Sequence, residues 1–417
     1  MRIFIAPISI VLILTLLYPI AGYALAHQYP YPDYSDQVPD DYTGKRFRLS
    51  QDYPSSIPST SHRPWENIDF TKNPNEYLRI VRKYIYQGMR EADWEVDRNN
   101  IRKWYHVPWM HVGQSPREFI YGMTRERALN PGELGPKQTQ RIQNWAVGFY
   151  NDYGGYTIGQ VWKDPTNPDP TSARFPVGAV VAKVLFTAAT PDQIPALEGT
   201  EEWQANINAT IDKDSSKKIQ TVRLLQMDFG VRDARANGTT GWVLGTFVYD
   251  KRVHGIDGWD KMVPVGLTWG NDPTITPTDI ADGGALQETF LNPDAPDYAK
   301  NRLGWAGRLN GPVDDPESAC LSCHSTAQWR PQARMTPTGT EQERLHWFRN
   351  LKSGQAFTAG EISLDYSLQL AISIRNFFNP NLNPDIRAES RFTPLPEKEK
   401  HGRGDIEPFD LGHPIER

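Results

Sequence analysis

Cysteine is scarce in this chain, with two among 417 residues. One pair cannot brace a fold of this size, so packing must, and 13 Trp, 18 Tyr and 16 Phe supply large surfaces for it. Long apolar runs are also missing. Beyond the first 26 residues no segment approaches the ~18 apolar residues that a membrane helix needs. There is no excess of positive charge either. Lys and Arg total 45 against 50 Asp and Glu, for a net charge of −5, and no basic stripe occurs, so nucleic acid is not an expected partner. No internal repeat is present, which sets solenoids aside. The 34 prolines and 32 glycines argue for long, defined loops rather than a helix bundle.

The chain begins with one apolar stretch. Arg2 provides a charged start, Ile3 to Leu17 an apolar core containing Pro7, and Ala24-Leu25-Ala26 a small-x-small cleavage pattern. Residues 1–26 thus read as a secretory signal; a retained anchor is the alternative. Removing Arg2 with it takes the net charge to −6. The expected location is the periplasm or the cell surface.

Both cysteines fall within Cys320-Leu321-Ser322-Cys323-His324. C-x-x-C-H is the attachment pattern of c-type haem: each thiol forms a thioether to one vinyl group, and the adjoining histidine becomes the proximal iron ligand. A redox dithiol expects a βαβ context that is not visible here. A disulfide closing so short a loop would gain little. One covalently attached haem c on Cys320, Cys323 and His324 is the expectation, and export agrees with it.

Residues 27–73, rich in Pro, Tyr, Ser and Asp, have no period and read as an extended arm. A helix follows over 75–95, where Tyr77, Ile80, Val81, Tyr84 and Ile85 share a face. His106 and His111, beside Met110, are five apart and interrupted by Pro108. That is not a one-face spacing, so they read as aromatic loop packing rather than a metal site. A short helix is expected over 116–127. From 144 the texture becomes β: a strand over 145–150, a Gly154-Gly155 turn, and a partner strand over 156–162. The run 177–186 is the strongest strand, interrupted only by Lys183, which either snorkels or is held for a reason. A polar connection spans 187–220. Strands over 221–233 and 241–249 flank Asn237-Gly238, a hairpin signal. Residues 250–316 are loop-rich, with a short aromatic segment at 262–269. Helices are expected over 342–351 and 362–378, before a Pro-rich, charged tail. The fold class is therefore α+β: an antiparallel sheet carrying haem c near its C-terminal end, with helical segments at both ends and long Pro-rich loops. The divisions are a leader to 26, the arm over 27–73, a helical/loop segment over 74–143, a β-rich haem domain over 144–340, and a helical segment with tail over 341–417.

A helical cytochrome domain places its haem motif early and its axial methionine dozens of residues later. Here most of the chain precedes the motif, and Met335 is the only methionine after it. The order found here is different. Phe175-Pro176-Val177-Gly178 leads into a buried strand, a hairpin over 222–245 follows, and a late C-x-x-C-H-Ser closes it. Over residues 145–330 this order resembles the cytochrome P-460 family and the β-sheet cytochromes c-prime. The resemblance implies haem c against an antiparallel sheet, His324 as proximal ligand and an open opposite face. It also implies a lysine linked to the porphyrin, corresponding to Lys183, and a distal acid that relays protons, for which Asp228 is the candidate.

Three functional expectations follow. The first is an exported monohaem electron carrier serving a redox partner protein, with a sixth ligand drawn from Met335, Met227 or His346. The second is a five-coordinate haem oxidoreductase or gas-binding protein, acting on a small nitrogenous substrate such as hydroxylamine or on nitric oxide. The third is a homo-oligomer or a subunit of a larger extracytoplasmic complex, with the arm and tail as straps.

Overall fold

Central strands buried on both faces build one antiparallel sheet. The computed structural model describes residues 30–59, 63–113, 115–330, 333–379 and 381–383. The expected leader at 1–26 and the tail beyond 383 lie outside the described residues. Eight strands form the sheet: β1 (Thr124–Arg125), β2 (Asn144–Tyr150), β3 (Val180–Thr187), β4 (Glu202–Asn208), β5 (Lys217–Arg232), β6 (Trp242–Tyr249), β7 (Met262–Thr268) and β8 (Thr289–Leu291). Their order is β1-β2-β3-β5-β6-β7-β8, with β4 paired to the first half of β5. A two-stranded ribbon of β9 (Gln328–Trp329) and β10 (Ile362–Ser363) lies apart from it. The α+β, antiparallel expectation therefore holds at this level.

The two faces of the sheet have different tasks. One carries Trp145, Val147 and Phe149 of β2, Val184 and Phe186 of β3, Met227 and Phe229 of β5 and Phe247 of β6. Against it packs α1 (Pro74–Tyr86), shorter than the helix expected over 75–95; Tyr77, Val81, Tyr84 and Ile85 are buried as their spacing predicts, with Leu78 buried in addition and Ile80 only partly so. Each such side chain contributes ~1.5–3 kcal/mol when fully buried. The opposite face carries Gly148, Tyr150, Lys183, Asp228, Leu244 and Thr246, which line a cavity.

Several local expectations are corrected. Residues 152–161 form a helix, α2 (Asp152–Val161), not a turn and strand. Asn151 caps it by accepting from Gly154 N, and its glycines serve close packing: a Cβ on Gly155 would meet Tyr105 Cδ2 at 2.4 Å. The helix expected over 116–127 is instead a turn, followed by β1. The polar connection 187–220 contains β4, whose Trp203, Ala205 and Ile207 alternate inward. The segment 262–269 is a full strand, β7. The late helices are shorter than expected: Glu341–Arg344 is a single turn, and the last helix is confined to Leu368–Phe378.

From Tyr31 onward the described residues belong to one unit. The arm is part of it: Tyr31, Phe47 and Leu49 are buried, and the Tyr31 hydroxyl donates to Trp162 O at 2.7 Å. His106 and His111 are buried in aromatic surroundings, as expected of loop packing. No helix among the described residues is long and apolar enough to cross a membrane.

Candidate haem-attachment site

The helix α3 (Cys320–Ser325) brings Cys320, Cys323 and His324 to one cavity. The spacing i, i+3, i+4 places all three on one helical face, while Leu321, Ser322 and Ser325 are buried on the other. Ser322 holds the start of the helix, its hydroxyl accepting from Ala319 N at 2.8 Å. Burial pushes the Cys323 thiol up to about 12, with the Asp314 and Asp315 carboxylates adding to it, and raises Cys320 as well. Redox dithiols need the reverse, a thiolate stabilised by positive surroundings. The site therefore argues against that chemistry.

His324 is oriented by the main chain. Its Nδ1 lies 2.8 Å from the Tyr366 carbonyl oxygen. A carbonyl only accepts, so Nδ1 carries the proton and Nε2 keeps a free lone pair. Burial holds the ring below the usual imidazole pKa, hence neutral. A neutral imidazole with its second nitrogen anchored is the form that ligates a metal.

The cavity has a volume of ≈ 300 Å³, at the lower end of small-molecule sites. Its sheet wall is ordered by register. Gly148, Lys183, Asp228 and Thr246 are successive partners across β2, β3, β5 and β6 and form one polar row. Tyr150, Val181, Gly230 and Leu244 form a second row, largely apolar, beside it. Leu368 and Ile372 of α4 (Leu368–Phe378) add apolar lining. One end is thus apolar and the other charged.

At the charged end Lys183 Nζ lies 3.6 Å from Glu126 and 3.7 Å from Asp228. Gln226 Nε2 donates to both Asp228 oxygens at 2.9 Å and to Asp314 at 3.0 Å. Thr246 Oγ1 donates to Asp228 at 2.9 Å and lies 4.0 Å from Cys320 Sγ, so this cluster reaches α3. Burial alone would lower Lys183, but Glu126, Asp228 and Asp314 outweigh it and keep it charged. Burial and the Asp314 charge push Asp228 up to about 7, and burial raises Glu126. Lys183 does not snorkel; it is held between carboxylates.

No family model, curated protein or solved structure matches this chain.

The residues singled out from sequence divide cleanly. Cys320, Cys323, His324, Lys183, Asp228 and Met335 all line the cavity. The Met335 sulfur lies 3.4 Å from Cys323 Sγ, beside α3. Met227 is on the opposite face of the sheet, because strand alternation turns it away from its neighbour Asp228. His346 packs on Trp347 and Phe357, away from the cavity lining. Glu126, Gln226, Asp314 and Tyr366 were not marked by any sequence pattern; only the fold gathers them.

Proposed function

We propose that the chain carries one haem c, bound through thioethers to Cys320 and Cys323 with His324 as its proximal ligand. The observation that carries this reading is the helical face presenting both thiols and a neutral, Nδ1-anchored histidine to one cavity. The apolar row of the sheet, with Leu368 and Ile372, suits a porphyrin face.

We further propose that the protein is a haem oxidoreductase or gas-binding protein for a small nitrogenous molecule, of the cytochrome P-460 type. When bound, the haem would supply a redox-active iron. The rest falls to the chain. Glu126 and Asp228 hold Lys183 as a partly buried ammonium on the sheet wall. Asp228, with its raised pKa, takes up or releases a proton near neutrality. Gln226 and Thr246 keep its carboxylate in place. An electron carrier has no need of three carboxylates and a lysine beside its cofactor, which is why this reading is preferred. The electron-carrier reading is favoured by Met335, whose sulfur reaches the cavity.

An absorption spectrum of purified protein, oxidised and reduced, with and without carbon monoxide, tests both. A covalent haem whose reduced spectrum shifts with carbon monoxide is expected. A sharp low-spin spectrum indifferent to the gas would select the electron carrier. Absence of covalent haem in protein made with an intact haem-attachment system would end both readings. If Lys183 is linked to the porphyrin, Lys183→Leu should move the Soret band; an unaltered spectrum rejects the link.

A further inference from the structure

The carbonyl that anchors His324 belongs to a strained turn. Asp365 and Tyr366 both have left-handed backbones, with φ of 47° and 68°. Non-glycine residues adopt this conformation in succession only where their surroundings impose it. Asp365 is fully buried and supplies what imposes it. Its Oδ1 accepts from Trp242 Nε1 at 3.1 Å and from Gly354 N at 3.2 Å, and its Oδ2 accepts from Phe175 N at 2.8 Å. These donors come from β6, from the loop before the ribbon strand β10, and from the segment leading into β3. Tyr366 is tied in addition by its hydroxyl, which donates to Leu351 O at 2.6 Å.

We propose that Asp365 is the positioning residue for His324: by clamping three separate segments it holds the Asp365–Tyr366 turn, and so aims the Tyr366 carbonyl at His324 Nδ1. The clamp links the histidine to β6, the strand that also carries Leu244 and Thr246 in the cavity wall. It fixes the tautomer and the electron donation of the imidazole, not merely the local fold. This inference rests on His324 acting as a haem ligand only for its effect on iron, not for its effect on the ring.

Asp365→Asn tests it. An asparagine offers one acceptor oxygen and turns an amide group toward a donor, so at least one of the three anchors is lost. Trp242→Phe removes the indole donor alone and serves if Asp365→Asn does not fold. In full-length, haem-loaded protein, both variants should raise the midpoint potential and lower the iron–histidine stretching frequency. A weaker Nδ1–carbonyl bond leaves the imidazole a poorer donor to oxidised iron. Near-wild-type values of both quantities in the folded variants would overturn the proposal. If the protein as isolated carries no haem, the haem reading fails and the clamp is still decided. Long-range proton–nitrogen NMR should then find His324 as the Nδ1–H tautomer in the wild type and a mixture of tautomers in the variants; a single unchanged tautomer refutes it.

Discussion

At the scale of single residues, the site is governed by what burial does to charge. Three carboxylates and one ammonium share the charged end of the cavity, partly withdrawn from solvent, and they cannot all ionise cheaply. Asp228 is pushed up by burial first and by the Asp314 charge next, while Lys183, divided between it and Glu126, offsets only part of that. Its folded-state pKa of about 7 lies above the ordinary 3.8. The native state therefore holds a proton that the unfolded state releases, and the stability contribution of Asp228 is full below the ordinary value and lost as pH rises through the raised one. Asp228→Asn removes that dependence. Its stability relative to wild type should improve steadily between about pH 4 and about pH 7, read by urea unfolding at a series of pH values. A difference that stays flat across this window would show that Asp228 is an ordinary ionised carboxylate. Lys183 is the counterpart. Sequence marked it as an interruption in an apolar strand, and the register supplied the reason by setting it between Gly148 and Asp228.

At the scale of elements, the largest misreading is instructive. Residues 152–161 contain Gly-Gly and β-formers, which point to a turn and strand, yet they form α2. Asn151 decides the matter. Its Oδ1 accepts from Gly154 N and Val180 N, and its Nδ2 donates to Tyr84 OH and Gly178 O. One buried side chain thus starts α2 and fastens it to α1 and to the lead-in of β3. Asn151→Ala should cost on the order of 3 kcal/mol, from the lost cap and the polar groups left unpaired. A denaturant midpoint within experimental error of wild type would contradict this role. α3 shows a different case. Its motif was legible but its helix was not: the structure adds that i, i+3, i+4 spacing on a single helical turn puts two thiols and an imidazole on one face.

At the scale of the whole molecule, one sheet separates an aromatic core from a cavity, and the arm closes over part of the assembly. Tyr31, Phe47 and Leu49 are buried in the cluster that includes Trp162 and Phe377. Deleting residues 27–59 should therefore destabilise the protein by several kcal/mol, at ~1.5–3 kcal/mol for each large side chain exposed. Thermal unfolding measures it. An unchanged melting temperature, with loss of a partner or of self-association, would instead favour the strap reading of the arm.

Sequence alone determined what local chemistry can determine. The C-x-x-C-H spacing sets two thiols and an imidazole close together, and β2, β3, β5 and β6 are long enough for their apolar content to declare them. The same holds for α1, whose buried stripe follows a 3.6-residue period. Only the tertiary structure decided what stands around the thiols. Glu126 comes from a stretch that read as helix, Asp314 from a loop, and Tyr366 from the lead-in to α4; no local pattern relates them. They meet because antiparallel register aligns Gly148, Lys183, Asp228 and Thr246 across four strands, and because Asp365 ties three distant segments behind His324. Register and long-range hydrogen bonds are properties of the packed chain, where distances across the sheet, not along the sequence, set which charges share a cavity.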